Sequence, residues 1–129
     1  MKPNLVLAAL VVSLGACAET ADTTAEVRAP AVEVLGEPTN CITVSRIRNT
    51  VVHDDYTIDF HLTGGDIYRN TLPARCPSLG FEERFAYETS AGSLCAVDTI
   101  TVIESGAGRG LRCGLGPFVP VRYADEGAD

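Results

Sequence analysis

The chain has 129 residues, with ten basic and seventeen acidic side chains and a formal net charge of −7. This length allows one small domain with appendages. The acidity is concentrated at the ends, and residues 41–123 hold nine acids against eight arginines without a basic stripe. Composition therefore excludes the electrostatic footprint of a nucleic-acid-binding protein, and no nucleic acid is expected as a partner.

The N-terminus has the pattern of an export signal. Lys2 supplies a positive start, and residues 5–14 (LVLAALVVSL) form an apolar run followed by small residues. A helix needs about 20 apolar residues to cross a bilayer, so this run is too short for a membrane span. The pattern predicts a signal peptide over residues 1–16.

The tetrapeptide at the end of the run, Leu14-Gly15-Ala16-Cys17, resembles the lipobox of bacterial lipoproteins. The resemblance implies that Cys17 is acylated and becomes the mature N-terminus, whereas the alternative is ordinary cleavage after Ala18. Two or more acyl chains make a stable membrane anchor. Because Ala18 is not the aspartate associated with inner-membrane retention, the expected location is the cell envelope, on the periplasmic face of the outer membrane.

The next segment, residues 18–40, is rich in Ala, Thr, Glu and Pro and contains no aromatic residue. This composition predicts a lipid anchor and flexible tether over residues 17–40. The alternative is that residues 31–35 add an edge strand between Pro30 and Pro38.

From Cys41 onward the composition favours β-structure. The apolar parity of residues 41–52 changes near Ser45 and Arg46, which indicates either a β-bulge or two shorter strands. Residues 56–63 then alternate between apolar and polar side chains, which predicts a strand with one buried face.

A turn and a returning strand follow. Gly64-Gly65-Asp66 suits a tight hairpin turn, and residues 67–72 form the partner strand that Pro73 ends.

The rest of the chain contains further short elements. We predict a helical turn within residues 78–83, strands from Arg84, over 95–103, over 111–113 and over 118–123, and an acidic tail at 124–129. The predicted fold class is therefore all-β over residues 41–123: a small antiparallel barrel or sandwich of five or six strands, disulfide-framed, with at most one short helical turn. A barrel is favoured because closure hides sheet edges.

The disulfide frame is predicted from four cysteines, Cys41, Cys76, Cys95 and Cys113. An even number of cysteines in a small exported domain indicates two disulfides, and no pair has the close spacing of a zinc site, so no metal is expected. Three pairings are open. We favour Cys41–Cys113 with Cys76–Cys95, because first and last strands are often neighbours in a closed sheet.

Four blocks of the domain carry a family resemblance: CITVSRIRNTVVHDDYTIDF, GGDIYRNTLPARCPSLGFEERF, LCAVDTITV and CGLGPFVPV. Together they resemble a family of small four-cysteine lipoproteins of Gram-negative bacteria that is classified as a domain of unknown function. The resemblance spans residues 41–122 and implies no activity, so no residue inherits a role.

Few residues in this sequence are candidates for a catalytic or ligand-binding role. The densest polar cluster is His53-Asp54-Asp55, which would serve a small hydrolase-like or metal-dependent activity if its side chains converged, although such trios usually form turns. Arg69, Arg109 and Arg112 would bind an anionic group if they met on one rim. We assign no catalytic residue and no cofactor.

The expected function is a non-enzymatic, lipid-anchored binding or interaction module. It would contact the membrane through Cys17 and an envelope component, such as a protein, through a sheet edge or an arginine-bearing rim. The alternatives are the His53-centred activity and a purely structural envelope lipoprotein.

Overall fold

The computed structural model describes residues 28–89, 91–106 and 108–127. Cys17, the predicted signal peptide and the first part of the predicted tether lie outside these residues. Within the described ranges, no helix is both long and apolar enough to span a bilayer.

Short strands make up most of this part of the chain, as predicted for an all-β fold. The strands are β1 (Val32–Val34), β2 (Cys41–Thr43), β3 (Ile47–Val52), β4 (Thr57–Leu62), β5 (Ile67–Thr71), β6 (Phe85–Tyr87), β7 (Ser93–Cys95), β8 (Thr99–Glu104), β9 (Gly108–Gly114) and β10 (Phe118–Tyr123). One short helix, α1 (Leu79–Glu82), and 3-10 turns at Val44–Arg46 and Ala124–Gly127 complete the order.

The strands form three antiparallel sheets. The main sheet has the order β1-β10-β5-β4-β3, a second pairs β2 with β7, and the third has the order β6-β8-β9. None of the three closes on itself, so the fold is an open, sandwich-like arrangement and not the favoured barrel. Ten strands replace the expected five or six, because several predicted runs are divided by turns.

Two of these divisions follow from local structure. The 3-10 turn at Val44–Arg46 sends β2 and β3 into different sheets, so the two-strand alternative is observed. The register of β3 against β4 also shifts between Ile47 and Asn49, as at a β-bulge. The predicted strand over 95–103 is split by a turn that Asp98 closes, since its Oδ2 accepts a hydrogen bond from the Cys95 amide at 2.7 Å.

The central hairpin is confirmed. β4 and β5 pair with Asp59 opposite Arg69, and the turn between them uses Gly64 and Gly65 at φ of 91° and 94°. Such positive values suit glycine, which has no Cβ to clash with the backbone. The helical turn predicted within 78–83 is also present as α1.

A hydrophobic core lies between the sheets in the described part of the chain. Phe60 packs edge-to-face against Phe118, with ring centroids 5.4 Å apart, and Ile100 and Val102 reach the core from β8. All four side chains are fully buried. The core therefore joins the main sheet to the three-stranded sheet.

The disulfide pairing differs from the one we favoured. The bonds are Cys41–Cys95 and Cys76–Cys113. The favoured pairing assumed that Cys41 opens a strand beside the last one, but β2 pairs with β7, which places Cys41 directly opposite Cys95. The prediction of two disulfides holds, and the predicted connectivity was wrong.

The described part of the predicted tether is attached to the domain. β1 pairs with β10, placing Val32 opposite Tyr123, and Thr39 forms an isolated bridge with Phe118. The edge-strand alternative is therefore the one observed for residues 31–35.

A close contact at Gly116 connects β5 to the loop before β10. Asn70 is fully buried; its Nδ2 donates to the Gly116 carbonyl at 2.7 Å, and its Oδ1 accepts from the Gly116 amide at 2.8 Å. A Cβ built on Gly116 would lie 2.3 Å from the Thr71 carbonyl oxygen. This side of the loop has no room for a side chain.

We expect Gly116→Ala to lower the free energy of unfolding by about 1–3 kcal/mol, because the added methyl group must displace backbone. Gly114→Ala is the matched control, since a Cβ there meets nothing within 4 Å. Urea unfolding of both variants measures the difference. Equal stability of the two variants would contradict the close approach at Gly116.

Candidate functional site

The densest polar contacts surround Asp59 at the middle of β4. Ile58, Phe60 and Leu62 face the core, as the alternating pattern predicts, but the opposite face is not simply solvated: Thr57 is 4% exposed and Asp59 is 0% exposed. A fully buried carboxylate requires charge-paired or hydrogen-bonded neighbours.

Those neighbours come from three other parts of the chain. Arg69 on β5 donates from Nε to Asp59 Oδ1 at 2.8 Å and from Nη2 to Oδ2 at 3.0 Å. Oδ2 also lies 2.7 Å from His53 Nε2 and accepts a hydrogen bond from the Tyr123 hydroxyl at 2.8 Å. We call Asp59, Arg69, His53, Tyr123 and His61 the Asp59 network.

The direction of the hydrogen bonds follows from the chemistry of each group. An ionised carboxylate only accepts, so His53 Nε2 must donate to Asp59. The single hydroxyl proton of Tyr123 is used on Asp59, so His61 Nε2, 3.2 Å away, donates to the Tyr123 oxygen. Four donors thus reach the Asp59 carboxylate, which has about four lone-pair sites.

The pKa of Asp59 is lowered from 3.8 by this environment. Burial acts in the opposite direction and raises it, but the hydrogen bonds from Arg69 and Tyr123, the charge of Arg69 and the hydrogen bond with His53 together outweigh burial. Asp59 is therefore ionised at neutral pH, with its lone pairs occupied. This arrangement joins strands well and leaves little capacity for a substrate.

The network also holds the segment that leads into β1. The third nitrogen of Arg69, Nη1, donates to the Pro30 carbonyl at 2.9 Å. Because Tyr123 is on β10 and Arg69 on β5, the network links neighbouring strands of the main sheet across one face. Its evident role is architectural.

The sequence-predicted trio His53-Asp54-Asp55 does not converge. His53 turns to Asp59. Asp54, 1% exposed, accepts hydrogen bonds from the amides of Tyr56 and Arg28.

Asp55 contacts different residues from those that His53 and Asp54 contact. It accepts from the Gly80 amide at 2.8 Å and pairs with Arg75 at 2.9 Å. Asp54 and Asp55 are thus occupied in turn and loop contacts. No group of three His, Cys, Asp or Glu side chains in the described ranges has the geometry to hold a metal ion.

The three arginines proposed for one rim also separate. Arg69 belongs to the Asp59 network, whereas Arg109 and Arg112 lie on β9 in the three-stranded sheet. Both β9 arginines line one depression of about 230 Å³ on the face of that sheet that points away from the core. We call this depression the outer groove.

The floor of the outer groove is formed by β8. Ile100 and Val102 are fully buried, so Thr99 and Thr101, which alternate with them, face outward and line the groove. Thr101 lies directly opposite Arg112.

The walls of the outer groove carry opposite charges. Arg109 and Arg112 line it from β9, and Glu88 lines it from the end of β6, on the other side of β8. Neither arginine forms an ion pair or side-chain hydrogen bond with the residues that the structure describes. Arg46, Arg69, Arg75, Arg84 and Arg122, by contrast, are all paired with acids.

The sequence did not predict the burial of Asp59 or the outer groove. The alternating pattern places Asp59 on the polar face of its strand, whereas the structure buries it against partners that include Tyr123, sixty-four positions away. Glu88 and the β9 arginines line the same groove because β6 and β9 flank β8. No local motif signals either arrangement.

Comparisons with protein-family models, curated proteins and solved structures gave no match for the chain. The resemblance to four-cysteine lipoproteins and the lipobox therefore stay predictions from the sequence.

Proposed function

We propose that this protein is a lipid-anchored, non-enzymatic binding module on the periplasmic face of the outer membrane, and that it binds an envelope component through the outer groove. The lipobox-like residues ending at Cys17 support the anchor. The two disulfides support an oxidising compartment, since such bonds persist outside the cytosol.

One observation carries the binding role. Among the described residues, the polar side chains best suited to catalysis are used by the fold: His53 and Arg69 on Asp59, and Asp54 and Asp55 on backbone amides. The arginines of the outer groove are instead exposed and free to bind. Binding by guanidinium groups needs no bond making or breaking, only complementary charge.

The experiment first separates anchoring from binding. Full-length protein is expected to fractionate with the outer membrane, whereas Cys17→Ser is expected to be released into the soluble periplasmic fraction because it lacks the acylated cysteine. The intact mass of the membrane-extracted wild-type protein should show an acylated Cys17 as the N-terminus, and a mature N-terminus without acylated Cys17 would contradict the lipid anchor.

The released Cys17→Ser chain then reports on the outer groove. We expect it to co-sediment with a purified outer-membrane and cell-wall fraction at low ionic strength, where charges are least screened. The double variant Arg109→Ala, Arg112→Ala should weaken this association at least about tenfold, since each charged hydrogen bond contributes about 1.5–3 kcal/mol.

Arg48→Ala is the matched control, because Arg48 is also exposed on a strand but lies on β3, in the main sheet. It is expected to leave co-sedimentation unchanged. Equal binding by the double variant and the control would overturn the assignment of the groove.

A further inference from the structure

The outer groove is bipolar, which limits the ligands that fit it. Arg109 and Arg112 supply two guanidinium groups from β9, while Glu88 supplies a carboxylate from the β6 side. Asp98 also lines the groove, but its Oδ2 is already held by the Cys95 amide. A ligand that carries only negative charge would gain from one wall and be repelled by the other.

The distance between the walls suits a small ligand. Neighbouring strands lie about 4.8 Å apart, so β6 and β9, separated by β8, are roughly 10 Å apart at the backbone. Arg109, Arg112 and Glu88 all line the space between these strands. The space that remains above Thr99 and Thr101 fits a group of a few atoms with opposite charges at its ends.

We infer that the outer groove binds a phosphoethanolamine group, a phosphate joined to an ammonium through two carbons. The phosphate lies between Arg109 and Arg112, because two guanidinium forks match its several acceptor oxygens. The ammonium lies toward Glu88, and the hydroxyls of Thr99 and Thr101 supply hydrogen bonds from the floor.

This inference rests on the proposed function in one respect. A domain anchored to the membrane lies next to lipid headgroups that contain phosphoethanolamine. The fit of the groove itself depends only on the positions of Glu88 and the two arginines. The same chemistry has two sources, a phosphatidylethanolamine headgroup and free phosphoethanolamine, which the experiment separates.

The first measurement is isothermal titration of the Cys17→Ser chain with O-phosphorylethanolamine, inorganic phosphate and ethanolamine. We expect a dissociation constant of about 1 mM for O-phosphorylethanolamine, because the ligand is small and the groove open. Inorganic phosphate and ethanolamine are each expected to bind at least about tenfold more weakly, since each engages one wall. Equal affinity for phosphate and O-phosphorylethanolamine would overturn the inference, as would no heat with any of the three.

Variants test each wall separately. Arg112→Ala is expected to lower the affinity for O-phosphorylethanolamine about tenfold, which corresponds to about 1.4 kcal/mol. Glu88→Gln is expected to remove the preference for O-phosphorylethanolamine over phosphate. Arg48→Ala is the control and keeps wild-type affinity. All three side chains are exposed, so unchanged thermal midpoints should show that the fold is intact.

Vesicle flotation identifies the source of the group. Binding of the Cys17→Ser chain to vesicles of phosphatidylethanolamine in phosphatidylcholine, but not to phosphatidylcholine alone, assigns the site to the lipid headgroup. Binding of free O-phosphorylethanolamine without vesicle binding assigns it to a soluble source, and either result supports the site. Preference for vesicles containing phosphatidylglycerol, which lacks the ammonium, would overturn it.

The results also separate this inference from the proposed function. If the double arginine variant loses envelope association but O-phosphorylethanolamine does not bind, the binding module stands and its ligand chemistry is wrong. If O-phosphorylethanolamine binds but envelope association is unaffected by Arg109 and Arg112, the ligand site stands and the proposed function fails.

Discussion

Replacing Asp59 by asparagine is expected to lower the free energy of unfolding by about 3–5 kcal/mol, which is the cost of breaking a buried ion pair by removing one partner. The substitution keeps the side-chain volume but leaves Arg69, whose side chain is 12% exposed, without its counter-ion. Domains of this size have a total stability of about 5–15 kcal/mol, so the loss should be a large fraction of the total. Urea unfolding measures the loss.

The matched control is Asp66→Asn, which breaks the Arg46–Asp66 pair on the surface. These side chains are 45% and 60% exposed, and solvent-exposed pairs contribute about 0–1 kcal/mol. We expect at least a threefold larger loss for Asp59→Asn than for Asp66→Asn. Similar losses for the two variants would show that the Asp59 network does not hold the main sheet together.

The pH dependence of stability provides a second readout of the same carboxylate. The folded-state pKa of Asp59 lies below its ordinary value of 3.8, so its stabilising contribution is fully present above that value and is lost as the pH falls through the folded pKa. The gap in unfolding free energy between wild type and Asp59→Asn should therefore be constant near neutral pH and shrink in acid.

The second large effect is expected from removing the Cys76–Cys113 disulfide by the double change to alanine. The bond spans 37 residues, so the chain-entropy model predicts a loss of about 4 kcal/mol. Cys76 is also fully buried in the core, which adds a packing loss. We expect the thermal midpoint to fall by roughly 20 °C or the domain to be unfolded.

The Cys41–Cys95 bond provides the comparison. It spans 54 residues and so has a similar entropic contribution, but Cys41 is exposed and lies outside the core. Its double alanine variant should be the more stable of the two.

The more exposed disulfide bond should also be reduced first, because a reductant reaches its sulfur atoms more easily. Mild reduction followed by alkylation and peptide mass mapping should label Cys41 and Cys95 first. Earlier labelling of Cys76 and Cys113 would contradict the burial of that bond.

The elements that the sequence predicted correctly are those determined by residues close together in the chain. The β4–β5 hairpin follows from strict alternation and from Gly64 and Gly65, and α1 and β10 lie where local patterns place them. Backbone periodicity and turn chemistry act over a few residues, so one sequence is enough to recognise them.

The features that the sequence did not predict depend on which strands become neighbours. Cys41 faces Cys95 because β2 pairs with β7 in a separate two-stranded sheet, and β1 near the start of the described chain joins β10 near its end. The same holds for both polar sites. Asp59 became buried through Tyr123, and Glu88 came to face the β9 arginines through the order β6-β8-β9.

We expect the two polar sites to have different roles, one in stability and the other in binding. In the Asp59 network four donors reach one carboxylate and join strands of the main sheet, and no buried side-chain nitrogen or oxygen in the described ranges lacks a partner. The outer groove lies on a different sheet, where Arg109 and Arg112 form no ion pair with residues in the described part of the chain. Changes in the network should therefore alter stability, and changes in the groove should alter binding.

The most direct test of this division is a map of backbone amide chemical shifts, recorded on the isotope-labelled Cys17→Ser chain as solubilised outer-membrane lipid is added. We predict that shifts concentrate on Thr99, Thr101, Arg109 and Arg112, and that His53 and Asp59 stay unchanged. Shifts centred on His53 and Asp59, with the β8 and β9 residues unaffected, would contradict the claim that the outer groove is the binding site.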